Sequence, residues 1–310
     1  MKLSKLIKES KFNIREDETQ DKLDDLSDVF KTGSVPAYVS LLQQYSKDPK
    51  VMAVLKAGRK DGQPNDEKFD VSETTIAVKD LKPTQNEIGA EESLKNIMTD
   101  PYDSLETFLK GNADVGGSII TYNGEFVLDG HHRWSQVYAA NPEAKLKAIN
   151  VTGKLEAKDI LKAVHTAIAV DAGETKTIAA NLKAGNLLDF TSQKTYGYVM
   201  DNLNDKARKI WGKYGYDDDT VIAKHIVKNV STMIKRSKPE AWAPKRDSMP
   251  QPEKSGSDNW GVALKQGDVN LLKPKTKDAN ESVNKNLANK LFEAVLKRSI
   301  TEFNKVKRKK

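Results

Sequence analysis

The stretch from Gly116 to Ala140 constrains this chain more than any other. Ser118 to Tyr122 and Glu125 to Leu128 are two β-rich runs separated by Asn123-Gly124, a dipeptide that supplies the two positive-φ positions of a tight hairpin turn. Asp129-Gly130 breaks the second run. From His131 onward Trp134, Val137 and Tyr138 recur at helical spacing until Asn141-Pro142 ends the pattern. A hairpin therefore feeds a helix whose first turn holds His131, His132 and Arg133. Unpaired N–H groups, the positive end of the helix dipole and a guanidinium meet there, and that combination binds anions. Trp134 is read as a core residue rather than a stacking platform.

The rest of the chain reads as support for this turn. Thr74 to Val78 is a strand, Asp80 to Asn86 a turn-prone loop set by Pro83, and Glu91 to Met98 a helix with acidic residues in its first turn, ended by Asp100-Pro101. Tyr102, Leu105, Phe108 and Leu109 form a short apolar stripe, and Lys147 to Val151 is another strand. The expected fold class is α+β, a small mixed sheet with packed helices over 71–153, flanked by helical extensions. Residues 1–70 read as a helical accessory region: a short helix at Leu3, Leu6 and Ile7, an acidic polar stretch from Arg15 to Asp28, and a helix from Val35-Pro36 that Val51 to Leu55 continues. Gly58 to Asp66 is a linker by composition.

Residues 154–236 are expected to be helical. Ile160, Leu161, Val164 and Ile168 share one face, Tyr196, Val199, Met200 and Leu203 begin another that Ile210 and Trp211 continue, and Thr220 is the expected N-cap of a third. His165 and His225 are packing histidines on this reading, and Asp217 to Asp219 is charge that compensates a helix dipole. Residues 237–278 are irregular and rich in Pro and Gly. They carry Trp242 and Trp260, which argues that the segment docks on the body, where Arg246, Gln251 and Lys254 reach toward an anion. Residues 279–310 are a last helix and a basic tail.

Charge and composition narrow the function classes. The formal net charge is +7. Lys297 to Lys310 hold seven Lys/Arg and one Glu, +6 by subtraction, which leaves +1 for the remainder. Lys305, Lys307, Arg308, Lys309 and Lys310 are thus candidate DNA contacts through phosphate charge. The chain has no cysteine, which excludes disulfides, thiolate catalysis and Cys-ligated zinc. The polar start and the lack of an apolar run of about 18 residues predict a cytoplasmic protein with no membrane partner.

Leu128-Asp-Gly-His-His-Arg-Trp134 resembles the ParB/sulfiredoxin superfamily, whose shared element is a strand, a Gly-containing turn and a helix opening with a His-Arg or Arg-Arg pair. Leu81 to Asn86 and Glu92 to Leu94 stand where that family has its first box. The likeness covers about 71–153 and implies a nucleotide held by its phosphates at the helix start. Sulfiredoxin chemistry needs a cysteine at the position of His131 and is excluded. The CTP-clamp members carry Gly-Glu-Arg-Arg where this chain has Gly130-His131-His132-Arg133, which weakens that likeness. The wording is closest to free-serine-kinase-like members. By that match Asp129 is the acid/base or metal-side residue and Glu87, Glu91 or Glu92 the upstream carboxylate, with Glu92 the working choice. The combination is similar in style to bacteriophage-encoded ParB-like proteins.

The residues themselves agree with phosphoryl chemistry. Gly130 lets a phosphate approach the backbone, Arg133 offers a fork of donors, His131 and His132 donate hydrogen bonds or shuttle a proton, and Asp129 takes a proton from water. Thr84, Gln85 and Asn86 supply neutral contacts. The expected ligand is ATP or another purine nucleotide with Mg²⁺, and the expected activity is nucleotide hydrolysis or DNA cleavage. A small-molecule kinase and a non-catalytic DNA-binding or virion-associated scaffold are the alternatives.

Overall fold

The computed structural model describes residues 3–58, 68–178 and 182–271. The expected C-terminal helix, the basic tail and most of the 58–66 linker lie outside the described residues. At the N-terminal end, α1 (Leu3–Thr32), α2 (Val35–Tyr45) and α3 (Pro49–Leu55) precede the first strand, β1 (Asp70–Ala77). Then come β2 (Lys82–Pro83), α4 (Ala90–Thr99), α5 (Leu105–Leu109), β3 (Asn112–Ala113), β4 (Ile119–Tyr122), β5 (Phe126–Asp129), α6 (His131–Ala140) and β6 (Lys145–Thr152). The remainder is helical: α7 (Ala157–Ala172), α8 (Ser192–Asn202), α9 (Asp205–Lys213), α10 (Asp219–Arg236), α11 (Pro252–Ser255) and α12 (Trp260–Gln266).

The fold is mixed α+β. Its sheet runs β1-β6-β4-β5-β2, with β3 also paired to β6. β1 is antiparallel to β6, β4 antiparallel to β5, and the β4–β6, β2–β5 and β3–β6 pairs are parallel. The central strands are apolar on both faces because helices cover both. Ile119, Val127, Leu146 and Ala148 face one cluster with residues of α4, α5, α6 and α8–α10. Ile120, Tyr122, Leu128 and Val151 face a second cluster with α1–α3, α7 and α12. This alternation is the period of two of a strand, applied to a sheet buried on both sides. The edges differ. β1 is largely exposed and polar, and β2 is two residues long and ends in Pro83, both devices that keep an edge from recruiting another strand.

Several boundaries differ from the sequence reading, each for a local reason. The 15–28 stretch is helix, part of α1, because Leu23, Leu26 and Phe30 form a buried seam beneath its acidic surface. Phe30 meets Tyr38 of α2 edge-on at 5.4 Å. α3 does not continue α2: Asp48 accepts the Lys50 N–H and Pro49 opens a new helix. Asn204 likewise starts α9 afresh by accepting the Ala207 N–H at 2.9 Å. The cap of α10 is Asp218, not Thr220, with Oδ1 accepting the Thr220 N–H at 2.7 Å. The two cores also run across the expected boundaries at 70 and 153, since both helical flanks supply residues to the faces of one sheet.

The 237–271 segment docks, as its tryptophans require. Trp260 is buried in the second cluster and Trp242 packs against it half-buried. Ser237 and Ser248 tie it down further, the first donating to Leu81 O at 3.2 Å and the second accepting at its carbonyl from His165 at 3.1 Å.

Candidate nucleotide-phosphate site

The turn from β5 into α6 is built as its residues dictate. Asn123 (φ 51°) and Gly124 (φ 67°) close the β4–β5 hairpin, and Glu125 N–H returns to Tyr122 O at 3.0 Å. Gly130 then takes the N-cap of α6 in the left-handed region, φ 88°, with no side chain capping the helix. A Cβ there would sit 2.6 Å from Ile119 Cγ2 and 3.1 Å from Arg133 Nε. Gly130→Ala is therefore expected to cost about 1–3 kcal/mol of stability, read by urea unfolding. A loss under about 0.5 kcal/mol would show that the turn relaxes without strain.

α6 is held from several sides. Nearly all of it is buried, and it packs against α4 and α10. Trp134 is fully buried and donates its Nε1–H to Val78 O at 2.9 Å, so it is a core residue. Burying a side chain of this kind contributes about 1.5–3 kcal/mol.

The first turn of α6 divides its polar residues between two tasks. His131 is 4% exposed, and its Nε2 accepts the Thr84 N–H at 3.2 Å. His132 Nε2 accepts the Gly89 N–H at 3.1 Å. Burial, then the neighbouring His132, pushes His131 down to about 3, against a backbone bond to Val127 that acts upward. Burial, then the Arg246 charge, pushes His132 down to about 4. Both rings are neutral acceptors that hold the loop after β2 against the helix start. This differs from the expectation that they donate to phosphate or shuttle a proton: a backbone N–H already occupies each Nε2.

Thr84 and Gln85 differ from expectation for the same reason. Thr84 is fully buried with its hydroxyl on Val127 O at 2.6 Å, and Gln85, also buried, donates to Glu87 O. Asn86 stays exposed at the surface but gives its amide to Ala243 O at 2.8 Å and its N–H to Pro244 O at 3.0 Å.

What remains open at the turn is Asp129, Gly130 and Arg133. Arg133 Nη2 lies 3.5 Å from Asp129 Oδ2, and both side chains are 24% exposed. Gly117 passes so close that a Cβ there would fall 2.9 Å from Arg133 Nη1. The guanidinium thus lies between two glycines, Gly117 and Gly130, with no Cβ on either side. Burial raises the Asp129 carboxyl above its ordinary value, offset in part by Arg133 and the Gly130 N–H and reinforced by Glu253 of α11.

A second group of charges adjoins the same loop. Arg246 reaches Glu92, Nη1 to Oε1 at 3.6 Å, and Lys245 reaches Glu87 at 3.3 Å. Glu92 Oε2 is buried with no hydrogen-bond partner among the described residues and lies against Gly89. Of the three candidate upstream carboxylates, Glu92 is the one paired with Arg246, whose charge also acts on His132. The roles of Gly117 and Glu253 carry no local sequence signal, because chain segments remote from the turn bring them there.

Among the described residues no group of three or more His, Asp or Glu is placed to hold a metal ion, and no helix is long and apolar enough to cross a membrane. No family model, curated protein or solved structure matches this chain.

Proposed function

We propose that the β5–α6 turn is a nucleotide-phosphate site of a ParB/sulfiredoxin-like domain and that it hydrolyses a phosphoryl or phosphodiester bond. The observation that carries this reading is the Arg133 guanidinium set between Gly117 and Gly130, 3.5 Å from a largely buried Asp129 carboxylate. Two missing Cβ atoms leave the backbone open beside a fork of donors, at the positive end of an uncapped helix. Arg133 binds phosphate oxygens and neutralises charge that develops on them. Asp129, made more basic by burial, accepts a proton from the attacking water. His131 and His132 are positioning residues that fix the 84–89 loop. Mg²⁺ enters with the nucleotide's phosphates, since among the described residues no three ligands cage a metal. The basic tail makes DNA the proposed macromolecular partner.

Arg133→Ala is expected to weaken nucleotide binding by about 1.5–3 kcal/mol, the size of a charged hydrogen bond. A thermal-shift screen of nucleotides with and without Mg²⁺ selects the ligand, calorimetry on wild type and variant reads the loss, and phosphate release reads the reaction. Unchanged affinity would refute the phosphate role of Arg133. Turnover that requires an added hydroxyl acceptor would replace hydrolysis by a kinase activity.

A further inference from the structure

A cavity of about 400 Å³ lies between the start of α2, the first turns of α7 and the 241–245 segment. Lys158, Lys162 and Lys245 line it together with Trp242 and Asn86, and none of the described residues lining it is Asp or Glu. Lys158 and Lys162 are one turn apart on α7, where like charges repel. Their carboxylate partners are Glu156 at 3.0 Å and Asp159 at 3.2 Å, and that of Lys245 is Glu87 at 3.3 Å, all outside the lining.

Lys162 makes the cavity more than a patch of surface lysines. Its side chain is 1% exposed. The ammonium donates to Phe30 O at 2.6 Å and to Asp159 Oδ1 at 3.2 Å and lies 5.5 Å from the centre of the Phe30 ring. An anion oxygen entering the cavity adds to the partners of this buried cation. The half-buried Trp242 is the aromatic residue among those lining the cavity. The volume is in the range of small-molecule sites.

We propose that this cavity is a second ligand site, distinct from the Gly130 turn, that takes a mononucleotide-sized aromatic phosphate. The phosphate meets Lys158, Lys162 and Lys245, and the ring lies on Trp242. Lys162 is the fixed donor; Lys158 and Lys245, on opposite walls, close on the anion from α7 and from the docked segment.

The test uses the full-length chain carrying Arg133→Ala, which removes the cation at the other site. Adenosine monophosphate is titrated into it by calorimetry at low salt, with inorganic phosphate as the comparison ligand. The expected result is one saturable site for the nucleotide, bound more tightly than inorganic phosphate. Adding Lys158→Gln and Lys245→Gln should weaken it roughly tenfold or more, and Trp242→Leu should reduce the preference for the nucleotide over phosphate. Both lysines are at least partly exposed, so these variants fold. No nucleotide binding in the Arg133→Ala chain, or binding indifferent to the paired lysine changes, would overturn the proposal. Equal affinity for phosphate and nucleotide would overturn the aromatic part of it. The same lysine changes placed in a chain with Arg133 intact leave hydrolysis at the turn as a separate readout, so failure of one site is distinguishable from failure of the other.

Discussion

Exchanging Asp129 for asparagine is expected to slow the proposed nucleotide hydrolysis by roughly 10²–10⁴-fold, the contribution of a positioned general base, without unfolding the protein. Asparagine is close to isosteric and still accepts the Gly130 N–H. It removes a charge that burial disfavours, since the Asp129 carboxyl is raised by desolvation and only partly relieved by Arg133. Stability should therefore hold or rise slightly while kcat falls. Arg133→Ala differs in acting on affinity as well as on turnover, because Arg133 both binds the phosphate and neutralises its developing charge, whereas the aspartate change acts on turnover. Steady-state phosphate release and a melting curve on the same preparation check both halves. Unaltered kcat would sink the base assignment and leave Asp129 as a group that only orients Arg133. A large drop in melting temperature would show instead that the turn depends on the charge.

Acidification from pH 7 to pH 5 is expected to remove roughly 3–6 kcal/mol of stability, through histidines that are buried neutral. The chain has four histidines, and burial lowers every one. His131 is pushed down to about 3, His132 and His165 to about 4, and His225 is lowered as well. In the unfolded chain each returns to about 6.5. Below that value the unfolded state binds protons that the folded state refuses. Stability is complete above pH 6.5 and falls by about 1.4 kcal/mol per pH unit for each such histidine until its folded value is reached. Asp129, whose carboxyl is raised by burial, works in the opposite direction. Urea midpoints at pH 7, 6 and 5 read the slope, and a flat profile would mean that the rings are open to protons in the folded state. The loop after β2 should loosen first, because His131 and His132 hold it through Thr84 and Gly89. Loss of nucleotide binding is then expected to precede global unfolding.

The local part of the site was legible in the sequence because local chemistry determines it. Asn123-Gly124 permits one tight turn, Gly130 is the residue that can enter a helix from the left-handed region beside Ile119, and the Trp134–Val137–Tyr138 spacing marks a helix with a buried face. The resulting hairpin, the α6 helix and the docking of the tryptophan-bearing segment follow from turn propensity and from the cost of exposed apolar surface. Helix starts were less legible where the capping residue stands beside equally plausible ones: Asp218 and Thr220 are both good caps, and backbone geometry chose the first.

Which polar groups remain open to a ligand was not in the sequence at all. His131, His132, Thr84 and Gln85 have the residue types of a binding site, yet the first three are committed to hydrogen bonds that join the 84–89 loop to the hairpin and helix, and Gln85 to one within the loop. A buried N–H or hydroxyl must find a partner, and only the folded arrangement says whether that partner is a protein atom or a ligand. The same holds for Arg246 beside Glu92, and for Lys158, Lys162 and Lys245 around one cavity. Charges far apart in the chain were brought together by docking the 237–271 segment on the sheet's helical cover. Pattern and turn chemistry determined the β5–α6 turn; long-range packing decided which of its side chains are free to act, because hydrogen-bond satisfaction in a buried site is a property of all the segments that meet there.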